Sequence, residues 1–256
     1  MKSNELLLIK KRFENAKTIY SKDEIIDVLR ECITNYNDAF KNLYFKQLCD
    51  EGCFYSYYND GTTIWFKPYK NKINFVLNRD SMTEKLLLKF IEGKEIPVLY
   101  YNSSFFNGLT SLQVQTEYVI IGIESYAQDY LLDCFRKNNI KAISSSDLFE
   151  LKRLFKMDFH FDYVTKSINE DTPQNKSKNG SFNYPKIETL LVDVLSDKLL
   201  NSTYSSEVNN IFRNALSKYA ININTLLRYA KKKGVLEEIH EIFREIGFDK
   251  EKGEFL

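Results

Sequence analysis

From Cys53 to Phe66 the chain reads CFYSYYNDGTTIWF, two runs rich in aromatic and β-branched residues on either side of an Asn-Asp-Gly turn. β-prone segments joined at Asp-Gly are a strong short-range hairpin signal, because glycine accepts the positive φ such turns require. What stands in front of this hairpin narrows the fold further. Glu5 to Asn15 predicts a helix with Leu6, Leu7, Ile9 and Phe13 on an apolar side and Lys10, Lys11 and Arg12 on a basic one. A second start lies at Ser21, where the Ser21/Glu24 spacing is that of a capping box and Ile25, Val28, Leu29 and Cys32 recur at i, i+3, i+4 and i+7. Capping residues at Asn35 to Asp38 open a third helix that stops at Gly52. Phe40, Leu43, Tyr44, Gln47 and Leu48 share one of its sides, and Lys41, Asn42, Phe45 and Lys46 point elsewhere.

A third helix feeding directly into a hairpin is the order of a winged helix-turn-helix, whose helix enters the major groove while the wing rests on the backbone or minor groove. Asn37, Lys41, Asn42, Lys46 and Gln47 are then the candidates for DNA contact, since amides read base edges and ammonium groups neutralise phosphate. Gln47 is the weakest, because its helical position turns it toward the inner side. Residues 1–80 carry 13 Lys plus Arg against 11 Asp plus Glu. So small an excess leaves open a winged helix that meets another protein instead of DNA.

A length of 256 residues gives room for two domains, and a net charge of +1 confines any nucleic-acid contact to a local patch. No run of about 20 apolar residues exists for a spanning helix, and no signal-peptide core follows the first residues, so a cytoplasmic location with no membrane partner is expected. Four scattered cysteines, Cys32, Cys49, Cys53 and Cys134, fit reduced thiols better than a disulfide scaffold or half a zinc site.

Beyond a linker and short strand at Lys67 to Asp80, strand and helix signals alternate: a helix from Thr83 to Ile91, strands at Ile96 to Tyr101 and Glu117 to Glu124, a helix from Ser125 to Lys137, a strand at Lys141 to Ile143 and a helix from Asp147 to Phe155. That alternation predicts a second domain of α/β type. The run DFHFDY alternates so that Asp158, His160 and Asp162 would share one strand face, a set able to hold a divalent metal for chemistry on nucleotides or nucleic acid. No third carboxylate accompanies them, and a half-exposed strand is polar on one face in any case. Phosphate-loop, nucleophile-elbow and zinc-protease motifs are absent, and no cofactor is implied. Thr165 to Tyr184 is polar throughout and reads as a surface loop.

Two helical patterns follow. Ile187, Leu190, Leu191, Val194 and Leu195 line one helix, with Glu188 and Asp193 as its notable polar members. Val208 to Leu216 and Ile223 to Ala230 continue the pattern to Gly234. From Ile211 to Gly234 there are six basic residues, Arg213, Lys218, Arg228, Lys231, Lys232 and Lys233, and no acidic one. Part of this charge complements a helix C-terminus, and the surplus suits a phosphate backbone or an acidic partner.

PKIETLLVDVLSD and YAININTLLRYAKKKG, with VLYYNSSFFNGLTSLQ between them and the front module, resemble in content and order the AbiEi-type antitoxins and related transcriptional regulators of type IV toxin-antitoxin systems. The resemblance implies a DNA-binding antitoxin and autoregulator. Its winged helix would bind double-stranded operator DNA, and its second domain would neutralise a cognate nucleotidyltransferase-like toxin without catalysis. Glu188, Asp193, Asn222, Arg228 and Tyr229 match the family's motif positions. The expectation is thus a mixed α/β chain: a winged helix-turn-helix over residues 1–80, then an α/β domain with C-terminal helices over 81–256.

Overall fold

In the computed structural model the described residues are 3–14, 19–68, 72–77, 80–92, 94, 96–111, 117–176 and 182–256. In chain order they form α1 (Ser3–Glu14), β1 (Tyr20–Ser21), α2 (Lys22–Cys32), α3 (Lys41–Asp50), β2 (Phe54–Asn59), β3 (Ile64–Pro68), α4 (Ser81–Ile91), β4 (Val98–Asn102), β5 (Val119–Glu124), α5 (Ser125–Lys137), β6 (Ala142–Ser144), α6 (Ser145–Phe155), β7 (Tyr163–Ile168), β8 (Gln174–Lys176), β9 (Asn183–Pro185), α7 (Ile187–Ser196), α8 (Lys198–Tyr204), α9 (Val208–Lys218), α10 (Ile223–Lys233), α11 (Leu236–Glu245), β10 (Phe248–Asp249) and β11 (Glu254–Phe255). The mixed α/β class expected from sequence is the one observed. Parts of the expected linker (69–71, 78–79), of the TSLQ end of the middle segment (112–113) and of the polar loop (177–181), and Asn15 of the first helix, lie outside the described residues.

Two compact units emerge. The first comprises Met1–Asn74, Leu216–Thr225 and Phe243–Leu256; the second Phe75–Ala215 and Leu226–Ile242. In the first, β1, β3 and β2 make an antiparallel sheet in that order. The capping box forms as read: Glu24 N donates to Ser21 Oγ at 3.2 Å and Ser21 N to Glu24 Oε2 at 2.8 Å. Ile9, Phe13, Ile25, Leu29, Leu48, Phe54 and Phe66 close the core, with Phe13 edge-on to Phe54 at 4.7 Å. The chain's last segments are stitched into this unit. Tyr57 Oη donates to Lys250 O at 2.8 Å, Lys67 Nζ to Gly253 O, and Asn222 Nδ2 to Ser56 O at 2.8 Å. Gly253 has φ +68°, and a Cβ there would stand 2.8 Å from the Tyr57 ring, so only glycine lets the backbone approach.

The second unit is built on a six-stranded sheet, β6-β7-β5-β4-β9-β8, in which β6, β7 and β5 are parallel and β4 runs antiparallel to β5. Strand alternation splits its side chains between two faces. Val98, Tyr100, Ile121 and Ile123 pack with α4 and α5 residues Leu87, Phe90, Leu131 and Phe135. Leu99, Gly122, Lys166 and Ile168 have the opposite parity. The bare Gly122 is filled over by Leu99 and Ile168, whose carbons would lie 2.7 to 2.9 Å from an added Cβ.

The polar stretch read as a loop from Thr165 is different in structure: β7 runs to Ile168 with Thr165 and Lys166 buried, and β8 and β9 follow. Residues 158–162, expected as a strand, are not one. The register of β7 begins at Tyr163, opposite Val119 and Ala142, so the preceding residues have no ladder partner on either side.

Candidate functional site

On α3 the exposed side carries Asn42, Leu43 and Lys46, with Phe40 just before the helix. Phe40 and Leu43, assigned inward from the sequence, are 50% and 59% exposed, whereas Phe45, assigned outward, stands edge-on to Phe66 at 4.9 Å. The helix is therefore rolled about its axis relative to the expectation, with Leu48 buried and Tyr44, Phe45 and Cys49 half-buried against the core. Asn37 is exposed and its Oδ1 accepts from Ala39 N at 3.0 Å, capping a short 3-10 turn ahead of α3. Lys41 is half-buried, 3.8 Å from Asp38, and Gln47 is half-buried. Asn42 and Lys46 are the two DNA-contact candidates whose side chains are fully presented.

Beside this helix the hairpin tip is tightly organised. Asp60 accepts from Thr62 N, Thr63 N and Trp65 Nε1 at 2.8 to 2.9 Å, and Gly61 takes φ +99°. Led by the bond from Trp65, these contacts hold the Asp60 carboxyl below its ordinary range.

The basic run at the end of α10 does not act as one surface. Arg213, Arg228, Lys231 and Lys232 are exposed, and Lys232 pairs with Asp171, whose carboxyl is lowered by that bond first. Lys218, exposed at the end of α9, belongs to the first unit. Lys233 turns inward. Leu226, Tyr229, Ala230 and Lys233 fall on one helical stripe, and the first three are buried.

Lys233 meets there the most unusual cluster of the second unit. Lys166 Nζ, on β7, donates to Asp193 Oδ2 on α7, with side-chain exposures of 7% and 2%. Residues Ile187 to Val194 of α7 are all buried, so the Asp193 carboxyl is almost wholly removed from water. Burial raises its pKa, and Lys166 works against that. The Lys166 ammonium lies 5.8 Å from the centre of the buried Tyr101 ring, and the Tyr229 hydroxyl faces Asp193 and Thr172. Burial lowers the pKa of Lys233, which is also drawn by Asp193 and Asp197. Asp197 caps α8 by accepting from Leu199 N and Leu200 N at 3.0 and 3.1 Å, and Ser145 Oγ donates to it at 2.9 Å.

A cavity of about 300 Å³ opens at this cluster, where β6 stops at Ser144 and leaves the remainder of β7 without a neighbour on that side. Gln128, Ser145, Ser146, Lys166, Ser167, Ser196, Lys198 and Lys233 are among its lining residues. Of the motif positions marked in the sequence, Asp193 and Tyr229 come together here, Glu188 is buried on the same helix, Arg228 is exposed, and Asn222 lies in the first unit, capping α10 through Thr225 N at 2.9 Å. Lys166, Lys198 and Asp197 were not foreseen. An Asp flanked by Leu190, Leu191, Val192 and Val194 was the available signal, since a buried carboxylate needs a cation.

Asp158, His160 and Asp162 do not converge. Asp158 pairs with Lys152 at 2.7 Å, and Asp162 Oδ2 accepts from Lys141 N at 3.0 Å. Among the described residues no group of three or more His, Cys, Asp or Glu side chains is placed to hold a metal, and no helix is long and apolar enough to cross a membrane. The four cysteines are free thiols.

Residues 63–247 match a family of unknown function, DUF6577, a stretch that includes every residue around the buried ion pair. No curated protein and no solved structure matches the chain.

Proposed function

We propose that this chain, which belongs to the DUF6577 family, is a DNA-binding regulator of the antitoxin type, controlling its own operon from the cytoplasm and neutralising a nucleotidyltransferase-like toxin. One observation carries the DNA-binding part. The first unit has the helix, strand, helix, helix, hairpin order of a winged helix, with Asn42 and Lys46 presented on the helix that precedes the wing. An amide and an ammonium one turn apart suit, respectively, an adenine edge and a phosphate. The antitoxin part rests on the sequence resemblance of the segments around Asp193 and Tyr229, and involves no catalysis.

Gel-shift titration on the DNA upstream of the reading frame tests this. Lys46→Ala lowers the slope of log affinity against log salt by about 0.9, and Asn42→Ala relaxes the preference for operator over unrelated DNA. A fragment unshifted at low salt, or both variants binding as the parent does, refutes the reading. Co-purification with the product of an adjacent nucleotidyltransferase-like gene tests the toxin partner.

The exposure of Phe40 and Leu43 on the same side favours a second reading, in which this helix meets a protein. In that case Leu43→Asp abolishes the association, and salt has little effect on it.

A further inference from the structure

The cavity beside the Lys166–Asp193 pair has both its carboxylates engaged and, among the described residues, two of its three ammonium groups outside any ion pair. Asp193 is engaged by Lys166, and Asp197 by two backbone N–H groups of α8 and by Ser145. Lys198 and Lys233, from different helices, make no ion pair within 4 Å among the described residues; Lys198 lies 6.0 Å from the Phe149 ring and Lys233 5.6 Å from the Tyr229 ring, with Asp193 and Asp197 acting on Lys233 only at longer range. Ser196 adds a hydroxyl, the Ser146 hydroxyl being turned to Ser144 Oγ at 3.0 Å, and the positive end of the 11-residue helix α6 begins at the same wall. Lining charge, three lysines against two aspartates, is net positive before any ligand enters.

We infer that this cavity is a binding site for a small phosphate monoester, its phosphoryl group held between the Lys198 and Lys233 ammonium groups and the hydroxyl of Ser196. Two unpaired cations call for a dianion, and a phosphate monoester is close to one at neutral pH. A volume of about 300 Å³ is at the small end of ligand pockets and suits a small ligand. The buried pair serves as a support: Lys166 neutralises Asp193, so that the carboxylate does not claim Lys233 as its sole cation. This site is independent of DNA binding by the first unit.

The test is calorimetric titration of the full chain with inorganic phosphate, ribose 5-phosphate and ribose. Both phosphates bind saturably and ribose does not; Lys198→Ala and Lys233→Ala each weaken binding about tenfold or more, the loss of one charge-assisted contact. Lys198 is exposed, so its variant folds as the parent does, and circular dichroism verifies this for Lys233→Ala. Absence of saturable binding, binding of ribose as tight as that of its phosphate, or unchanged affinity in folded Lys198→Ala and Lys233→Ala overturns the inference.

Discussion

Replacing Lys166 by Met tests whether the buried pair in the second unit is a liability relieved by its partner or a net source of stability. Both side chains are almost wholly removed from water, at 7% and 2% exposure, so screening by solvent does not discount the effect. Taking away one member of such a pair leaves a buried charge unmatched and costs about 3–5 kcal/mol. For domains of about 150–250 residues that is a fall in Tm of roughly 6–20 °C. The double replacement, Lys166→Met with Asp193→Leu, removes the desolvation cost of both charges together with their attraction, and lies within about 1 kcal/mol of the parent or above it.

The deficit of Lys166→Met also depends on pH. Burial raises the Asp193 carboxyl, and Lys166 opposes that rise. An acid with a raised folded pKa takes up a proton on folding, so its favourable contribution is complete below the unfolded value of about 4 and is lost as pH rises through the folded value. Removing Lys166 pushes that folded value higher. The variant's deficit is therefore small near pH 4 and grows toward neutrality. Urea unfolding of the four proteins of this cycle, at several pH values, measures both effects. A double variant as unstable as the two single losses added together, or a Lys166→Met deficit independent of pH, refutes the reasoning.

Two other outcomes follow from local geometry. Trp65 is the chain's one tryptophan and its Nε1 donates to Asp60 at 2.9 Å, so its fluorescence reports on the hairpin tip. Because the Asp60 carboxyl is lowered in the folded state, the tip's stabilisation is present above the unfolded value of about 4 and lost only as pH falls through the lower folded value. Emission thus stays constant down to about pH 4, and Asp60→Ala shifts it already at neutral pH; an unchanged spectrum in Asp60→Ala contradicts this role. Gly122→Ala puts a methyl 2.7 Å from Ile168 Cγ2 and 2.8 Å from Leu99 Cδ1, inside the central sheet, and destabilises by about 1–3 kcal/mol in thermal unfolding. A Tm equal to the parent's shows that the sheet yields there.

Where one residue's local chemistry sufficed, the sequence was readable: the Ser21/Glu24 box, the Asp60-Gly61 turn and the span of α5 all appear as their residues dictate. Where two patterns competed, the choice was made elsewhere in the chain. The third helix offers an apolar stripe through Leu43 and Gln47 and another through Phe45 and Cys49. The second faces the core, half-buried, because Phe66 arrives from β3 to meet Phe45. Alternation in DFHFDY was necessary for a strand but not sufficient, since a strand exists only where a neighbour offers a ladder, and β5 and β6 begin theirs at Tyr163.

The site in the second unit shows the same limit in its sharpest form. Its members come from α5, α6, β7, α7, α8 and α10, so no window of sequence contains more than a few of them. Some were visible singly, but as something ordinary: Lys166 as part of a polar run, Lys233 as the end of a basic cluster. What joins them is a pair of constraints that sequence states separately. An α7 buried on all sides from Ile187 to Val194 forces Asp193 inside, and the alternation of β7 sends Lys166 to the face opposite Thr165 and Ser167. Once both are buried they must pair. Tyr229 on the same stripe as Leu226 then carries Lys233 to the cavity with it. A lysine at i+7 of a buried stripe is thus better evidence for an inward cation than a run of three lysines is for a surface patch.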